Sequence, residues 1–273
     1  MLKQTHIAET TAPANPVRRG DNNLSVRRVQ EWLCLNALLR PALGLAVVID
    51  NDFGPATELA VQKFQASAGL AQTGIVSAAV FNRLCLPMKT AFAGPGAGAP
   101  VRDTLLAVAQ QHRAQQPVEF QLSSTKTNLG PWVRSYCNGL EGKDILWCMG
   151  FVQTLLDQTA SAFGRQFTAI MPRSLSCDEV ALAGRASGRL TTNTAVRQSP
   201  GVAKSGDIFL LRRTRNGQPD WHHAGLITAV HTDVFETIEG NTNTNGSDNG
   251  VGVFARNRNF RQQVLDVFST EGL

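Results

Sequence analysis

The residue to which chemistry is most readily assigned is a cysteine at the start of an apolar stretch. Cys148 opens a run with helical periodicity that continues to Ala160. The free N–H groups and the positive dipole end of a helix lower the pKa of a thiol at that position and favour the thiolate. The same N–H groups could stabilise an oxyanion during acyl transfer. The sequence therefore predicts that Cys148 is a nucleophile.

Two adjacent histidines could supply the base that such a thiolate needs. His222 and His223 precede an apolar stretch that is typical of a β-strand. If that strand begins at His223, alternation places His223, Gly225 and Ile227 on one face. We predict that His223 is the base and keep His222 as the alternative. We also expect the small Gly225 to leave room for a substrate backbone.

A carboxylate and an amide end the next predicted strand. Period-two alternation puts Glu239 and Asn241 on one face of an extended segment. Either side chain could accept the imidazole N–H and hold the tautomer that turns the other ring nitrogen towards sulfur. A zinc site formed by His222, His223 and Glu239 is disfavoured, because adjacent histidines on a strand point to opposite faces. We therefore predict no metal and no cofactor.

The other cysteines lack comparable surroundings, and we expect them to be small buried apolar residues. They are Cys34, Cys85, Cys137 and Cys177. Five cysteines without CxxC spacing are typical of a chain made in a reducing compartment. The first residues lack the apolar core of a secretory signal, so we expect synthesis in the cytoplasm without Sec export.

The segments that must position these residues fall into two predicted domains. The glycine and proline residues near residue 95 disfavour both helix and strand, so we expect a linker over residues 88–100. We expect residues 1–16 to form a flexible tail. Residues 17–87 show helical periodicity and predict a small three-helix bundle, whose first helix is capped by Ser25. Residues 101–273 place helical stretches before short strands, which favours a segregated α+β domain.

Composition excludes several classes of protein. Of 273 residues, 42% are apolar, which is enough to build cores, and 17% are charged. No apolar run approaches the roughly 20 residues that a membrane-spanning helix needs. The net charge of +5 is spread thinly, without the concentrated basic stripe of a nucleic-acid-binding protein. We expect neither a membrane span nor a nucleic-acid partner.

The helical region 17–87 carries a family resemblance. It resembles the peptidoglycan-binding module of bacterial and phage wall hydrolases in the order and spacing of Gly20, Asp21, Val29, Gln30, Leu33, Asp50, Phe53, Gly54, Thr57, Ala60, Val61, Phe64, Gln65, Gly69, Leu70, Gly74, Ile75, Val76 and Leu84. The loop 42–49 departs from that pattern because it is more apolar. The resemblance implies that this domain binds peptidoglycan.

A second resemblance covers about residues 130–260. The order of Cys148, Gly206-Asp207 before a strand, His223, Glu239 and Asn241 resembles the cysteine, histidine-dependent amidohydrolase/peptidase (CHAP) family of the NlpC-type papain-like superfamily. The resemblance implies a papain-like α+β domain with helices packed on an antiparallel sheet. It also implies that Cys148 is the nucleophile, His223 the base and Glu239 the orienting group. Asn241 would support the site.

Aromatic residues near the cysteine extend this second resemblance. NlpC-type enzymes often place a tyrosine a short distance before the nucleophile, where this chain has Tyr136, its only tyrosine. We expect Tyr136, Trp147 and Gly225 to contact substrate. Some phage CHAP enzymes carry an acidic calcium loop before the cysteine. Glu141 and Asp144 are too sparse to form such a loop, which again favours a site without metal.

Together the resemblances imply a peptidoglycan hydrolase that cleaves an amide. That bond is either the N-acetylmuramoyl–L-alanine amide or an amide of the stem peptide or its cross-link. We expect the enzyme to reach the periplasmic wall after lysis-type release, as a phage endolysin, or after injection, as an antibacterial effector with a cognate immunity protein. The alternatives are a non-catalytic wall-binding protein and a cysteine amidase acting on a soluble or protein substrate. We expect the loops 191–203 and 242–250 to set specificity.

Overall fold

The chain divides into two compact units. The computed structural model describes residues 1–96, 98–247 and 249–273. One unit comprises Thr5–Thr90, and the other comprises Met1–Gln4 together with Ala91–Leu273. The first unit is helical, and the second combines helices with an antiparallel sheet, so the α+β class is confirmed.

Short helices build the first unit. They are α1 (Thr5–Thr10), α2 (Leu24–Leu39), α3 (Pro55–Ser67), α4 (Ala78–Leu84) and α5 (Leu86–Ala91), with a 3₁₀ turn at Pro41–Leu43. Helix α2 packs against α3 and α4. Its buried residues Val26, Val29 and Leu33 recur at helical spacing, so one face of the helix enters the core.

The helix α2 begins earlier than the sequence predicts. Asn23 is its cap, because the side-chain oxygen of Asn23 accepts hydrogen bonds from the N–H groups of Ser25 and Val26. The prediction that Ser25 caps this helix is therefore wrong. Ser77, in contrast, caps α4 by accepting a hydrogen bond from the N–H of Val80 at 3.4 Å.

The expected tail over residues 1–16 differs from the structure. This segment contains α1, and Lys3 is buried. The N–H groups of Leu2 and Lys3 donate to the carboxylate of Asp157 at 2.9 and 2.8 Å, while Lys3 Nζ donates to the carbonyl of Tyr136 at 2.6 Å. A chain terminus is usually disordered unless bonds of this kind hold it in place. The bonding partners Asp157 and Tyr136 lie more than 130 residues away in the sequence, so no local pattern predicts this order.

The expected linker also differs from the structure at its start. Met88 and Ala91 belong to α5 and are fully buried, so residue 88 lies inside a packed helix. Residues 92–96 and 98–100 have no helix or strand, and Ala97 of the expected linker lies outside the described residues. The structure has two helices, α1 and α5, beyond the three that periodicity predicts. Each has only six residues, which is too short to show a clear apolar repeat.

The second unit places most of its helices before its sheet. The helices are α6 (Val101–Ala114), α7 (Pro131–Tyr136), α8 (Cys148–Ala162), α9 (Cys177–Ala186) and α10 (Asn193–Gln198), with 3₁₀ turns at Phe167–Ala169 and Pro200–Val202. The strands are β1 (Leu190–Thr191), β2 (Ile208–Arg215), β3 (Gln218–Val230), β4 (Val234–Thr242), β5 (Gly252–Asn259) and β6 (Leu265–Phe268). They pair antiparallel in the order β1-β6-β2-β3-β4-β5.

The helix that begins at Cys148 lies in the core of this unit. Helix α8 packs on β3, β4 and α6, and its residues 148–160 are all buried. Two glycines permit this close packing. A Cβ at Gly150 would lie 2.7 Å from the carbonyl of Tyr136, and one at Gly240 would lie 2.7 Å from Cβ of Phe151. The position of Cys148 is therefore set by tight contacts with α7 and β4.

None of the described helices is both long and apolar enough to cross a bilayer. The helices and the antiparallel sheet agree with the coarse fold class. The papain-like arrangement within that class stays a prediction.

Candidate active site

The thiol of Cys148 lies at the first residue of α8 and is 2% exposed. Its pKa is held well below the usual value. The largest cause is the hydrogen bond with the thiol of Cys177, and His223 and the backbone at Ala224 lower it further, against the opposing effect of burial. The environment therefore favours a thiolate, although the causes are side chains and backbone from other elements and not the helix start on which the sequence argument depends.

His223 lies in the middle of β3, not at its start, because the strand begins at Gln218. Its Nε2 is 2.8 Å from Oε2 of Glu239, and both side chains are fully buried. Burial opposes protonation, but interactions with Cys148 and Glu239 outweigh it and raise the pKa of His223 to about 9. With Nε2 held by Glu239, Nδ1 is the ring nitrogen left for a proton transfer with the thiol.

Glu239 is the carboxylate that orients this imidazole. It also accepts a hydrogen bond from Thr237 Oγ1 at 2.6 Å, and from Nε and Nη2 of Arg258 at 2.8 and 2.5 Å. Burial raises the pKa of a carboxyl group, but Arg258 and His223 overcome this effect and lower the pKa of Glu239 to about 2. The carboxylate is therefore charged and fully hydrogen-bonded, although it is buried.

Sequence reasoning missed Thr237 and Arg258. Thr237 could have been found from the period-two alternation that links Glu239 with Asn241, because residue 237 shares their face. No local pattern points to Arg258, which reaches Glu239 from β5. The same holds for Cys177, which the sequence predicts to be only a buried apolar residue and which the structure places 4.0 Å from Sγ of Cys148.

Asn241 is buried but does not hold the imidazole. Its backbone adopts a left-handed conformation, with φ of 55°. Neither Oδ1 nor Nδ2 of its side chain has a hydrogen-bond partner among the described residues. Of the two alternatives for the orienting group, the structure places Glu239 against His223. The amide of Asn241 is instead left with both polar atoms unsatisfied.

The two histidines also separate clearly. His223 contacts Glu239, whereas Nδ1 of His222 lies 3.4 Å from the carbonyl of Asp220. The described residues contain no group of three or more His, Cys, Asp or Glu side chains that could hold a metal ion. The oxygens of Glu239 are already used by His223, Thr237 and Arg258.

The three residues expected to contact substrate lie in the core instead. Tyr136 is fully buried, its hydroxyl is 3.0 Å from Nδ1 of His112, and its ring stacks on Trp147 at 5.7 Å. The indole N–H of Trp147 donates to the carboxylate of Glu119 at 2.7 Å. The polar atoms of both aromatic residues are therefore already hydrogen-bonded within the protein. The two stacked rings pack in the core beside the start of α8.

Gly225 likewise leaves no room for a substrate. A Cβ at this position would lie 2.6 Å from Cγ of Glu239 and 2.6 Å from Cε1 of Phe209. The expectation of a gap is wrong, because the neighbouring strands β2 and β4 fill that space with these two side chains. Gly225 allows Glu239 to approach His223.

The assembled geometry suits acyl transfer to a thiol. It combines a buried thiol whose pKa is lowered at a helix start, an imidazole that contributes to that lowering and whose Nδ1 has no hydrogen-bond partner within the described part of the chain, and a charged carboxylate that holds the other ring nitrogen. Cys148 is the first residue of α8, and the N–H groups of a helix's first turn have no partner within the helix, so here they could donate to an oxyanion formed during acyl transfer.

Comparison with known proteins gives a family for the helical unit. Residues 22–84 match the family model described as "Putative peptidoglycan binding domain". The resemblance of this region to a peptidoglycan-binding module is therefore confirmed. The match covers less than half of the chain.

A zinc D-Ala-D-Ala carboxypeptidase from Streptomyces albus G is 36% identical to this chain over 81 residues. The match covers 27% of this chain and 30% of the relative, so the chain spans under a third of that protein's length. No solved structure matches.

Proposed function

We propose that this protein is a cysteine hydrolase that cleaves an amide bond of peptidoglycan. The observation that carries the proposal is the 2.8 Å contact between His223 and Glu239 beside the thiol of Cys148, in a chain whose other unit matches a peptidoglycan-binding family. The similarity to a D-Ala-D-Ala carboxypeptidase supports peptidoglycan as the substrate. The CHAP-type assignment of the second unit is part of this proposal.

The reaction begins with attack of the Cys148 thiolate on the amide carbonyl carbon. The N–H groups at the start of α8 stabilise the oxyanion of the tetrahedral intermediate. His223, protonated and held by Glu239, gives its proton to the leaving amine as the C–N bond breaks. Water activated by the neutral imidazole then releases the acyl group from Cys148, and the thiolate returns.

The helical unit supplies binding. Attachment of residues 22–84 to an insoluble polymer raises the local concentration of the catalytic unit at its substrate, so weak contacts at the active site suffice. The cleaved amide is the N-acetylmuramoyl–L-alanine bond or a bond of the stem peptide or cross-link. Release as a phage endolysin, or injection as an effector with a cognate immunity protein, would bring the enzyme to the wall.

The test is digestion of purified peptidoglycan by the full chain, followed by mass spectrometry of the products. Free stem peptides with intact glycan strands would identify an amidase, and uncrosslinked muropeptides would identify an endopeptidase. The variant Cys148→Ala should give no product. The matched control is Cys137→Ala, which removes another buried thiol and should retain activity.

The alternatives predict other results. If the protein only binds the wall, the full-length wild-type chain would sediment with insoluble peptidoglycan but would release no digestion product. A cysteine amidase on a soluble or protein substrate would show thiolate reactivity at Cys148 but would not sediment with the wall. Either result would overturn the proposal.

A further inference from the structure

Cys177 lies in contact with the candidate nucleophile. Its Sγ is 4.0 Å from Sγ of Cys148, and both side chains are buried. Each cysteine is the first residue of its helix, Cys148 of α8 and Cys177 of α9. The hydrolytic mechanism uses only one of the two thiols. A second thiol beside a reactive one has a chemistry of its own, which is thiol–disulfide exchange.

We infer that Cys148 and Cys177 form an intramolecular redox pair, and that a disulfide between them is a reversible modification of the candidate nucleophile. The two sulfur atoms must move from 4.0 Å to a bond length of about 2.05 Å, which is a shift of about 1 Å for each. The disulfide would inactivate the enzyme because it removes the Cys148 thiolate, and this part of the inference rests on the proposed function. Formation of the disulfide itself is independent of the proposed function.

The environments of the two thiols divide the roles in the exchange. The low pKa of Cys148 makes it the thiolate that attacks first. The pKa of Cys177 is raised well above its usual value, chiefly by its hydrogen bond with Cys148, so Cys177 is the thiol that remains protonated until the second step. The two cysteines are therefore distinct in reactivity and adjacent in space.

The oxidant is a small-molecule disulfide such as glutathione disulfide. The Cys148 thiolate attacks one of its sulfurs, forms a mixed disulfide and expels one glutathione thiolate. Cys177 passes its proton to that thiolate and attacks the Cys148 sulfur, which expels the second glutathione as a thiolate. The two protein sulfurs lose two electrons, and one glutathione disulfide becomes two glutathione molecules.

Trypsin separates the relevant cysteines, which makes the test direct. Cleavage after Lys143, Arg165, Arg173 and Arg185 puts Cys148 in peptide 144–165 and Cys177 in peptide 174–185. Cleavage after Arg134 and Lys143 puts Cys137 in peptide 135–143. The full-length protein is incubated with glutathione disulfide, alkylated, digested without reductant and measured by mass spectrometry. We expect peptides 144–165 and 174–185 joined by one disulfide, and their separation after dithiothreitol.

Matched variants decide whether the second thiol matters. Cys177→Ser should yield glutathione-bearing peptide 144–165 in place of the linked pair. Cys137→Ser changes another buried thiol, which packs against α8 at Gly150, and should give the linked pair at the wild-type level. Circular dichroism of each variant shows whether it is folded, and Cys177→Ala provides a second substitution if the serine variant is not.

The results separate this inference from the proposed function. If wild type and Cys177→Ser accumulate the same glutathione adduct on Cys148, without a linked peptide, the redox pair is overturned. A linked pair in a protein that digests no wall upholds the pair and overturns the hydrolase. With both correct, oxidation abolishes wall digestion in wild type, and reduction by dithiothreitol restores it.

Discussion

Arg258 holds the carboxylate of Glu239 with two hydrogen bonds, at 2.8 Å from Nε to Oε1 and at 2.5 Å from Nη2 to Oε2. The second of these oxygens is also the one that contacts His223. Arg258, on β5, therefore keeps the carboxylate of Glu239 charged, and this carboxylate aligns the imidazole of His223. This links the outer strand of the sheet to the candidate nucleophile through two buried side chains.

Replacement of that arginine should disable the site. Arg258→Met leaves a buried carboxylate without its counter-charge, so the pKa of Glu239 should rise and folding should be destabilised by about 3–5 kcal/mol. Wall digestion should fall, and the acid limb of its pH profile should move to higher pH. The control is Arg256→Met on the same strand, whose guanidinium contacts backbone carbonyls of Asn243 and Thr244 instead. An unchanged acid limb in Arg258→Met would contradict this role.

Glu239 should give the protein an acid-sensitive stability. Its pKa is about 2 in the folded protein and about 4.5 when unfolded, so its contribution is complete above pH 4.5 and is lost as pH falls towards 2. The shift corresponds to about 3 kcal/mol. Urea unfolding at pH 6 and pH 2.5 should therefore show a smaller pH effect in Glu239→Gln. Glu236→Gln, which changes a half-exposed carboxylate on the same strand, should behave as wild type.

Cys148 should react with iodoacetamide at a pH where ordinary thiols do not. Because the thiol pKa is lowered, peptide 144–165 should be alkylated in mildly acidic buffer, and the rate should fall only as pH drops through that low pKa. His223→Gln should move the midpoint upward. Cys85 serves as an internal control, since burial raises its pKa to about 11. Equal pH profiles for the two cysteines would refute the thiolate.

Gly225→Ala should damage both stability and activity. The new methyl group would lie 2.6 Å from Glu239 and from Phe209, so one of them must move, at a cost of about 1–3 kcal/mol. Movement of Glu239 would also release His223 and slow wall digestion. Gly201→Ala is the matched control, because a Cβ there meets no atom within 4 Å. Thermal unfolding and digestion rates measured together distinguish the two effects.

Local sequence patterns were sufficient to predict the helix that carries Cys148 and the general fold class of its unit. Helical periodicity placed the start of α8 at Cys148, where the structure has it, and the order of helices before strands indicated the α+β class. The helical module was recognisable from its turns and apolar spacing, and a family match over residues 22–84 confirms it. Patterns of this kind are local, because a helix or strand is defined by residues a few positions apart.

Tertiary structure decided which side chains meet. The antiparallel register that pairs Leu226 with Ile238 brings His223 to Glu239, and packing of separate elements adds Arg258 and Cys177. It also fills the space beside Gly225, where strand alternation predicts room for substrate, and buries Tyr136, for which the NlpC-type resemblance implies a substrate contact. Such contacts join residues far apart in the chain. They depend on strand register and on the way side chains fill a core, and neither is determined by the periodicity of any single segment.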